Sequence, residues 1–340
     1  MTVRFRLLLY LLLLVASLLS LAPRRASGGP NVPVSTLDDF RLFRDTVEQL
    51  RDGRPYHQTM YDLMVQRHFP TASVFNWRQP AWYYALMIPV TRWLLVLLVC
   101  GCIVAWHIHL RGTRINGVLG VFLLNTLIAA NATSAAYFTE PVAGVLIGLS
   151  LLAYARKQWA RGAVWALAAL FIRELAAPYV VTCGLMALWH RRTREAVTWS
   201  VGGTLYLLYF WWHYSMSMSF WTPEALSQAQ WVQFGGLPFV LETVSRGLLL
   251  WALPKWVTAL AFVMLIAGLT SSQTPAYVRI CTAVYLFTFA VAGQAFNGYW
   301  GWTPLVAYSL TMYHGALELY QAIMDTRKGS YGPVSTLANA

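Results

Sequence analysis

Residues 162–189 read GAVWALAALFI, then Arg173-Glu174, then LAAPYVVTCGLMALW. One adjacent pair of opposite charges thus divides two apolar runs of 11 and 15 residues. Neither run reaches about 20 residues, the length a helix needs to cross a hydrocarbon core of roughly 30 Å. This predicts two short helices whose polar tip stops inside the bilayer. Charge is tolerated there only when it is paired within protein or lines a watery cavity.

Working outward from this stretch, further apolar runs occur at about 82–109, 115–135, 141–155, 196–214, 247–269, 280–295 and 303–324. Near the start, Arg4 and Arg6 precede another, and Pro23 directly after Leu21-Ala22 makes a poor cleavage site, so 1–22 is read as a retained, signal-anchor-like first helix. The whole predicts an all-α fold, a polytopic membrane bundle of about ten transmembrane helices. Its divisions are 1–22, an outer loop at 23–81, the bundle at 82–325 and a cytoplasmic tail at 326–340.

Composition agrees: 58% of residues are hydrophobic, 11% are charged and mean hydropathy is +0.50. Soluble domains are about one quarter charged, so a water-soluble enzyme is excluded. The net charge of +12 raises nucleic acid as a partner, but the cations concentrate in short connections between apolar runs. Arg111 with Arg114, Arg156-Lys157 with Arg161, Arg191-Arg192 with Arg194, Arg279, and Arg327-Lys328 mark alternate connections as cytoplasmic. Membrane lipids are therefore the expected partners, and nucleic acid is not. Cys100, Cys102, Cys183 and Cys281 all lie within apolar runs and form no disulfide or metal-knuckle pattern.

Connections of the other parity face outward, and 23–81 is the one sizeable polar piece. Its arginines are diluted by six acidic residues, and long loops translocate largely regardless of charge. Ser35-Thr36-Leu37-Asp38-Asp39 supplies capping side chains, and Phe40, Phe43, Val47 and Leu50 recur at helical spacing. This predicts an amphipathic helix lying on the membrane surface, closed by Asp52-Gly53 and Arg54-Pro55.

At 1.5 Å of rise per residue, Arg173 lies about 18 Å above Arg161. Glu140, counted from Arg156, and Lys255, counted from its helix end, lie at roughly 22–24 Å. These charges fall in one slab, which implies a pocket open to the outer face, with 23–81 folding over it. Structural ion pairing is the competing reading for Arg173 and Glu174, and snorkelling to the interface is that for Lys255. Asp38 and Asp39 can serve as a general base toward an acceptor hydroxyl, or simply cap their helix. Arg78, Arg173 and Lys255 suit a lipid-linked phosphate, the ligand that matches arginine's planar fork. His213, after Trp211-Trp212, can touch phosphate or exchange a proton, or can be interfacial filling. His314 reads as hydrogen-bonded within the bundle, and His107 and His109 fall on the cytoplasmic side. Trp77, Trp221, Trp300 and Trp302 are sugar-stacking candidates or ordinary belt residues. The acceptor pattern at Asn131-Ala132-Thr133 is read as chance.

Several segments carry a resemblance. They are Asp39-Phe40-Arg41-Leu42-Phe43, Leu50-Arg51-Asp52-Gly53-Arg54-Pro55-Tyr56, Phe75-Asn76-Trp77-Arg78-Gln79-Pro80, Phe138-Thr139-Glu140-Pro141, Ile172-Arg173-Glu174-Leu175 and Asn297-Gly298-Tyr299-Trp300-Gly301-Trp302. Together they resemble polytopic GT-C glycosyltransferases, particularly the family 87 type that depends on polyprenol-phosphate-mannose. The resemblance implies a catalytic aspartate in the first outer loop, Asp39 or its neighbour Asp38. It further implies a polyprenyl-phosphate-linked sugar as donor, with mannose or another sugar moved to a lipid, glycan or protein acceptor. Arg78, Glu140, Arg173, Glu174, His213 and Lys255 are the expected substrate-binding set.

The expected function is thus inverting sugar transfer at the extracytoplasmic face of a plasma membrane, read as bacterial, with no cofactor required. Asp38, Asp39, Glu140 and Glu174 offer oxygens to a divalent ion, but no spacing demands one. A transporter or lipid flippase is the alternative, although the chain lacks the repeated halves and short loops of such proteins. A non-catalytic assembly partner, its charges paired at an interface, is a third reading.

Overall fold

The computed structural model describes residues 3–21, 36–110, 135–227, 234–293 and 295–330, and among these the fold is all-helical, without a strand. Helix α1, Val3–Ser20, docks on two helices from the end of the chain, with Arg6 paired to Glu318 at 2.5 Å and Tyr10 hydrogen-bonded to Thr270 at 3.1 Å. Helix α2, Thr36–Arg51, ends where Gly53 turns left-handed at φ +84°. There Arg54 N–H donates to Gln49 and Gly53 N–H to Leu50, the paired bonds that cap a helix C-terminus when the residue beyond it can adopt this conformation. Helix α3, Tyr56–Gln66, follows at once.

The apolar stripe of α2 is buried against protein, not laid on lipid, which corrects the expected surface helix. Phe43 meets Tyr83 at 5.8 Å and Phe138 edge-on at 5.6 Å, and Val47 and Leu50 are buried beside it. A stripe of that width is satisfied by any apolar wall, and here α3 and α4 supply one.

The run at 82–109 is two helices: α4, Pro80–Met87, and α5, Thr91–His109. Pro80 at the first helical position suits the start of α4. Pro89 then pushes Ile88 into extended backbone and ends it. Beyond come α6 (Thr139–Ala155), α7 (Trp159–Ile172), α8 (Ala177–Trp189), α9 (Thr193–Met218) and α10 (Gly236–Gly247). The run at 247–269 begins late, since Pro254 holds the chain extended until α11, Lys255–Thr270. Then follow α12 (Ala276–Val291), a 3-10 segment at Ala295–Trp302 and α13 (Leu305–Ser330). Residues 326–330, expected in the tail, continue α13. The expected helix at 115–135, Arg111, Arg114, Ser35, Asn131-Ala132-Thr133 and Trp231 lie outside the described residues.

Of the described helices, α5 is by itself long and apolar enough to span a bilayer; α6, α7, α8, α11 and α12 are shorter apolar helices. Apolar side chains nevertheless crowd the exterior: Trp93, Leu97, Trp189 (84% exposed), Leu207, Leu208 and Phe287 all face outward. The chain doubles back at 173–176, so that Trp159, which opens α7, and Arg192, just beyond α8, line one basin.

Candidate active site

Five separate stretches of chain converge at the tip of the α7–α8 turn. Arg173 leaves α7 in extended backbone at φ −149° and ψ 120°, which aims its side chain out of the helix line. It is 1% exposed, and its Nε lies 2.9 Å from Oε1 of Glu140, a residue of the first turn of α6 that is 0% exposed. Its Nη1 pairs with Glu174. Glu140 is shared with Arg78, whose Nη1 stands 3.6 Å from the same oxygen. Nη2 of Arg78 donates to the Tyr299 hydroxyl at 2.8 Å, and that hydroxyl donates to Oδ2 of Asp39 at 3.2 Å. The result is a continuous chain, Asp39–Tyr299–Arg78–Glu140–Arg173–Glu174. The first turns of α2 and α6 place two of its carboxylates at positive helix ends, where anions are stabilised.

Local packing explains why these groups hold their places. Arg78 lies 5.1 Å over the Phe43 ring, and its carbonyl accepts a hydrogen bond from the Tyr56 hydroxyl. Gln79 sits between the Tyr206 hydroxyl at 2.8 Å and the carbonyls of Leu170 and Phe171 at 3.1 and 3.0 Å, accepting from the first and donating to the others. It fastens the connection before α4 to the end of α7. Tyr299 and Trp300 are presented by the 3-10 segment, wedged between α6 and α10 at glycines. A methyl on Gly144 would strike the Trp302 carbonyl, and one on Gly247 the Gly301 carbonyl. Small residues permit such close approach in membrane bundles. Gly144→Ala is therefore expected to displace this segment and cost up to about 3 kcal/mol, as overpacking does. A lowered unfolding temperature in detergent, together with weakened function, checks it.

The residues expected from sequence do not all meet. Asp39, Arg78, Glu140, Arg173 and Glu174 lie in the one chain. Asp39 is 9% exposed and engages Tyr299, so its carboxylate does more than cap α2. The Asp38 side chain lies outside the described residues. Lys255 stands apart from the chain: it is exposed, and its Nζ donates to the Leu21 carbonyl at 2.8 Å. A cation at a helix C-terminus satisfies an orphan carbonyl, and that is its role at the end of α1. His213 is wholly buried, with Nδ1 3.1 Å from Nε2 of His57, so it offers no interfacial contact to phosphate. Trp77 is buried in a stack with Tyr61 and Phe220 and presents no open face to a sugar.

The expected floor of free cations is corrected too. Three carboxylates meet two guanidiniums, a formal charge of −1, and Glu140 and Glu174 are both engaged by Arg173. Each guanidinium carries five N–H donors, and the contacts above use two of each, which leaves donors for an incoming oxyanion. Buried polar atoms without a protein partner also lie in the surrounding layer, among them the Tyr83 hydroxyl, Nδ2 of Asn297 and Nε1 of Trp302. Such groups normally find partners, and a polyhydroxylated ligand would supply them.

Sequence reading missed Tyr299 as the link between acid and base, and missed His57 entirely. Tyr299 stood in a quoted motif, but nothing in the sequence tells which aromatic hydroxyl points inward. Burial beside His213 lowers His57 from 6.5 to about 4, because a charged imidazole loses hydration there and repels its neighbour. As pH falls, the unfolded chain takes up a proton near 6.5, before the folded one does. The stability given by the neutral pair is therefore complete above about pH 6.5 and is lost progressively down to about pH 4. Thermal unfolding in detergent across this window should show the loss, and His57→Gln should flatten the profile.

Comparison of the chain with family models, curated proteins and solved structures gives no match.

Proposed function

We propose that this protein is a multi-pass membrane glycosyltransferase of the GT-C type, with about ten spans, that moves a sugar from a polyprenyl-phosphate donor to a lipid, glycan or protein acceptor at the extracytoplasmic face. The observation that carries this reading is the buried chain from Asp39 to Glu174, which ties a carboxylate and Arg78 of the polar segment 23–81 to the Arg173 guanidinium at the tip of two short apolar helices. Outward-facing Trp93, Leu207 and Phe287, large apolar side chains exposed on three different helices, support residence in lipid.

In the proposed reaction Asp39 takes the proton of the acceptor hydroxyl, whose oxygen attacks the anomeric carbon from the face opposite the phosphate. The bond from that carbon to the phosphate oxygen breaks, and the electron pair leaves with the polyprenyl phosphate. Free donors of Arg78 and Arg173 stabilise the departing charge, held in place beforehand by Glu140. A single displacement of this kind inverts the anomeric configuration.

The test uses the full chain in membrane vesicles with radiolabelled polyprenyl-phosphate mannose. Label appearing in another lipid, a glycan or a protein supports the reading. Movement of the intact donor between leaflets without bond cleavage would replace it by the flippase alternative.

A further inference from the structure

Along α8, reaching Arg192 beyond its far end from Arg173, lies a cavity of about 220 Å³ whose lining includes none of the residues of the Asp39–Glu174 network. Tyr179, Cys183 and Met186 of α8, Tyr277 and Ile280 of α12, and Tyr154 of α6 wall it. Its mouth is formed by Arg192 and Glu195, which also border an adjoining open basin of about 320 Å³ with Trp159, Thr193 and Arg194. An apolar chamber thus runs directly into a polar vestibule.

The charge of that vestibule is lopsided. Arg192 and Arg194, at the start of α9, line it together with Glu195, whose carboxylate accepts a hydrogen bond from the Tyr154 hydroxyl at 2.6 Å. Glu195 is the one acid among them; it is buried and already held by Arg192 at 2.8 Å. The lining thus carries a formal charge of +1, with the exposed Arg194 beyond the Arg192–Glu195 pair. The chamber behind it is lined mainly by carbon and aromatic rings.

We infer that this cavity is a binding site for an anionic glycerophospholipid, its phosphate at Arg192 and Arg194 and the first part of an acyl chain inserted between α8 and α12. The chamber follows α8 from Arg192 inward past Met186 and Cys183 to Tyr179 in the helix's first turn. That places the headgroup at the basic end of the helix and the acyl chain along it toward Tyr179. This inference rests on membrane residence but not on sugar transfer.

The test is native mass spectrometry of the full chain extracted from vesicles of mixed phosphatidylglycerol and phosphatidylcholine. Retained phosphatidylglycerol in preference to phosphatidylcholine is expected. Arg194→Gln should cut that preference about fivefold, the usual worth of one cation at an anionic membrane surface. Arg192→Gln alone would strand buried Glu195, so it is made together with Glu195→Gln, which keeps the pair neutral. Ala276→Phe fills the chamber and should release the lipid while leaving the rim charge intact. Monodispersity of each variant shows that it folds. Inorganic phosphate should not displace the lipid. Equal retention of both lipids overturns the site. So does unchanged retention by folded Ala276→Phe, which would reduce the finding to headgroup adsorption. Loss of transfer in vesicles with lipid retention unchanged would bear on the Asp39 site alone.

Discussion

Asp39→Asn is expected to leave a folded protein that transfers sugar about 10² to 10⁴ times more slowly, the usual worth of a positioned general base. Asparagine preserves the size of the side chain and an oxygen that can still accept from the Tyr299 hydroxyl, so the 3.2 Å contact survives. What disappears is the negative charge and the capacity to hold the acceptor's proton. Because Asp39 lies at the edge of the buried chain, stability should change by less than about 1 kcal/mol. Transfer from polyprenyl-phosphate mannose, read beside unfolding temperature, separates the two effects. Retained transfer would end the assignment of Asp39 as base and turn attention to Asp38. Tyr299→Phe makes the companion measurement. It removes the hydroxyl that bridges Asp39 and Arg78, and a loss of at least about tenfold is expected, since both of its hydrogen bonds are to charged groups.

The helical class was legible because periodic apolar runs punctuated by proline and arginine admit little else. The depth argument also transferred well for Arg173 and Glu140, since helix rise is fixed and both are counted from one turn. It failed for Lys255, because counting along one helix gives height but not azimuth, and that side chain points to the end of α1. The surface location expected for α2 failed for a related reason. Hydrophobic periodicity shows that Phe43, Val47 and Leu50 share a face, not whether protein or lipid covers it. His57 and Tyr299 act through partners 156 and 260 residues away, and no local pattern specifies such pairings. Lys157 and Arg191 show the limit from the other side. Both adopt left-handed backbone beyond a helix end, where glycine would be the expected residue, in the turns that carry the basic clusters.

Glu140 offers the sharpest means of separating architecture from chemistry at this site. Within the Asp39–Glu174 network it is the acid that faces two guanidiniums, with Arg173 at 2.9 Å and Arg78 at 3.6 Å, and it is fully buried. Glu140→Gln removes the acid the two cations share, leaving Arg173 only its pair with Glu174 and Arg78 only its bond to the Tyr299 hydroxyl. Breaking a buried pair by removing one partner costs about 3–5 kcal/mol, well beyond the net worth of the pair itself. A large fall in unfolding temperature is therefore expected whether or not the protein is an enzyme. The decisive comparison adds Arg173→Gln, which leaves two neutral amides where the ion pair stood, with Arg78 still near Asp39. That double variant should recover part of the lost stability, because the guanidinium deprived of Glu140 has gone, while the partly exposed Glu174 loses its own partner. If Arg173 serves only to hold the fold, transfer should recover with it. If its remaining donors steady the departing phosphate, the double variant should be stable and still slow by about 10² to 10³, the loss seen when a donor to a developing negative charge is removed. Failure of the double variant to regain stability would show that Glu140 is held by something other than this guanidinium, and the ionic chain would lose its central link.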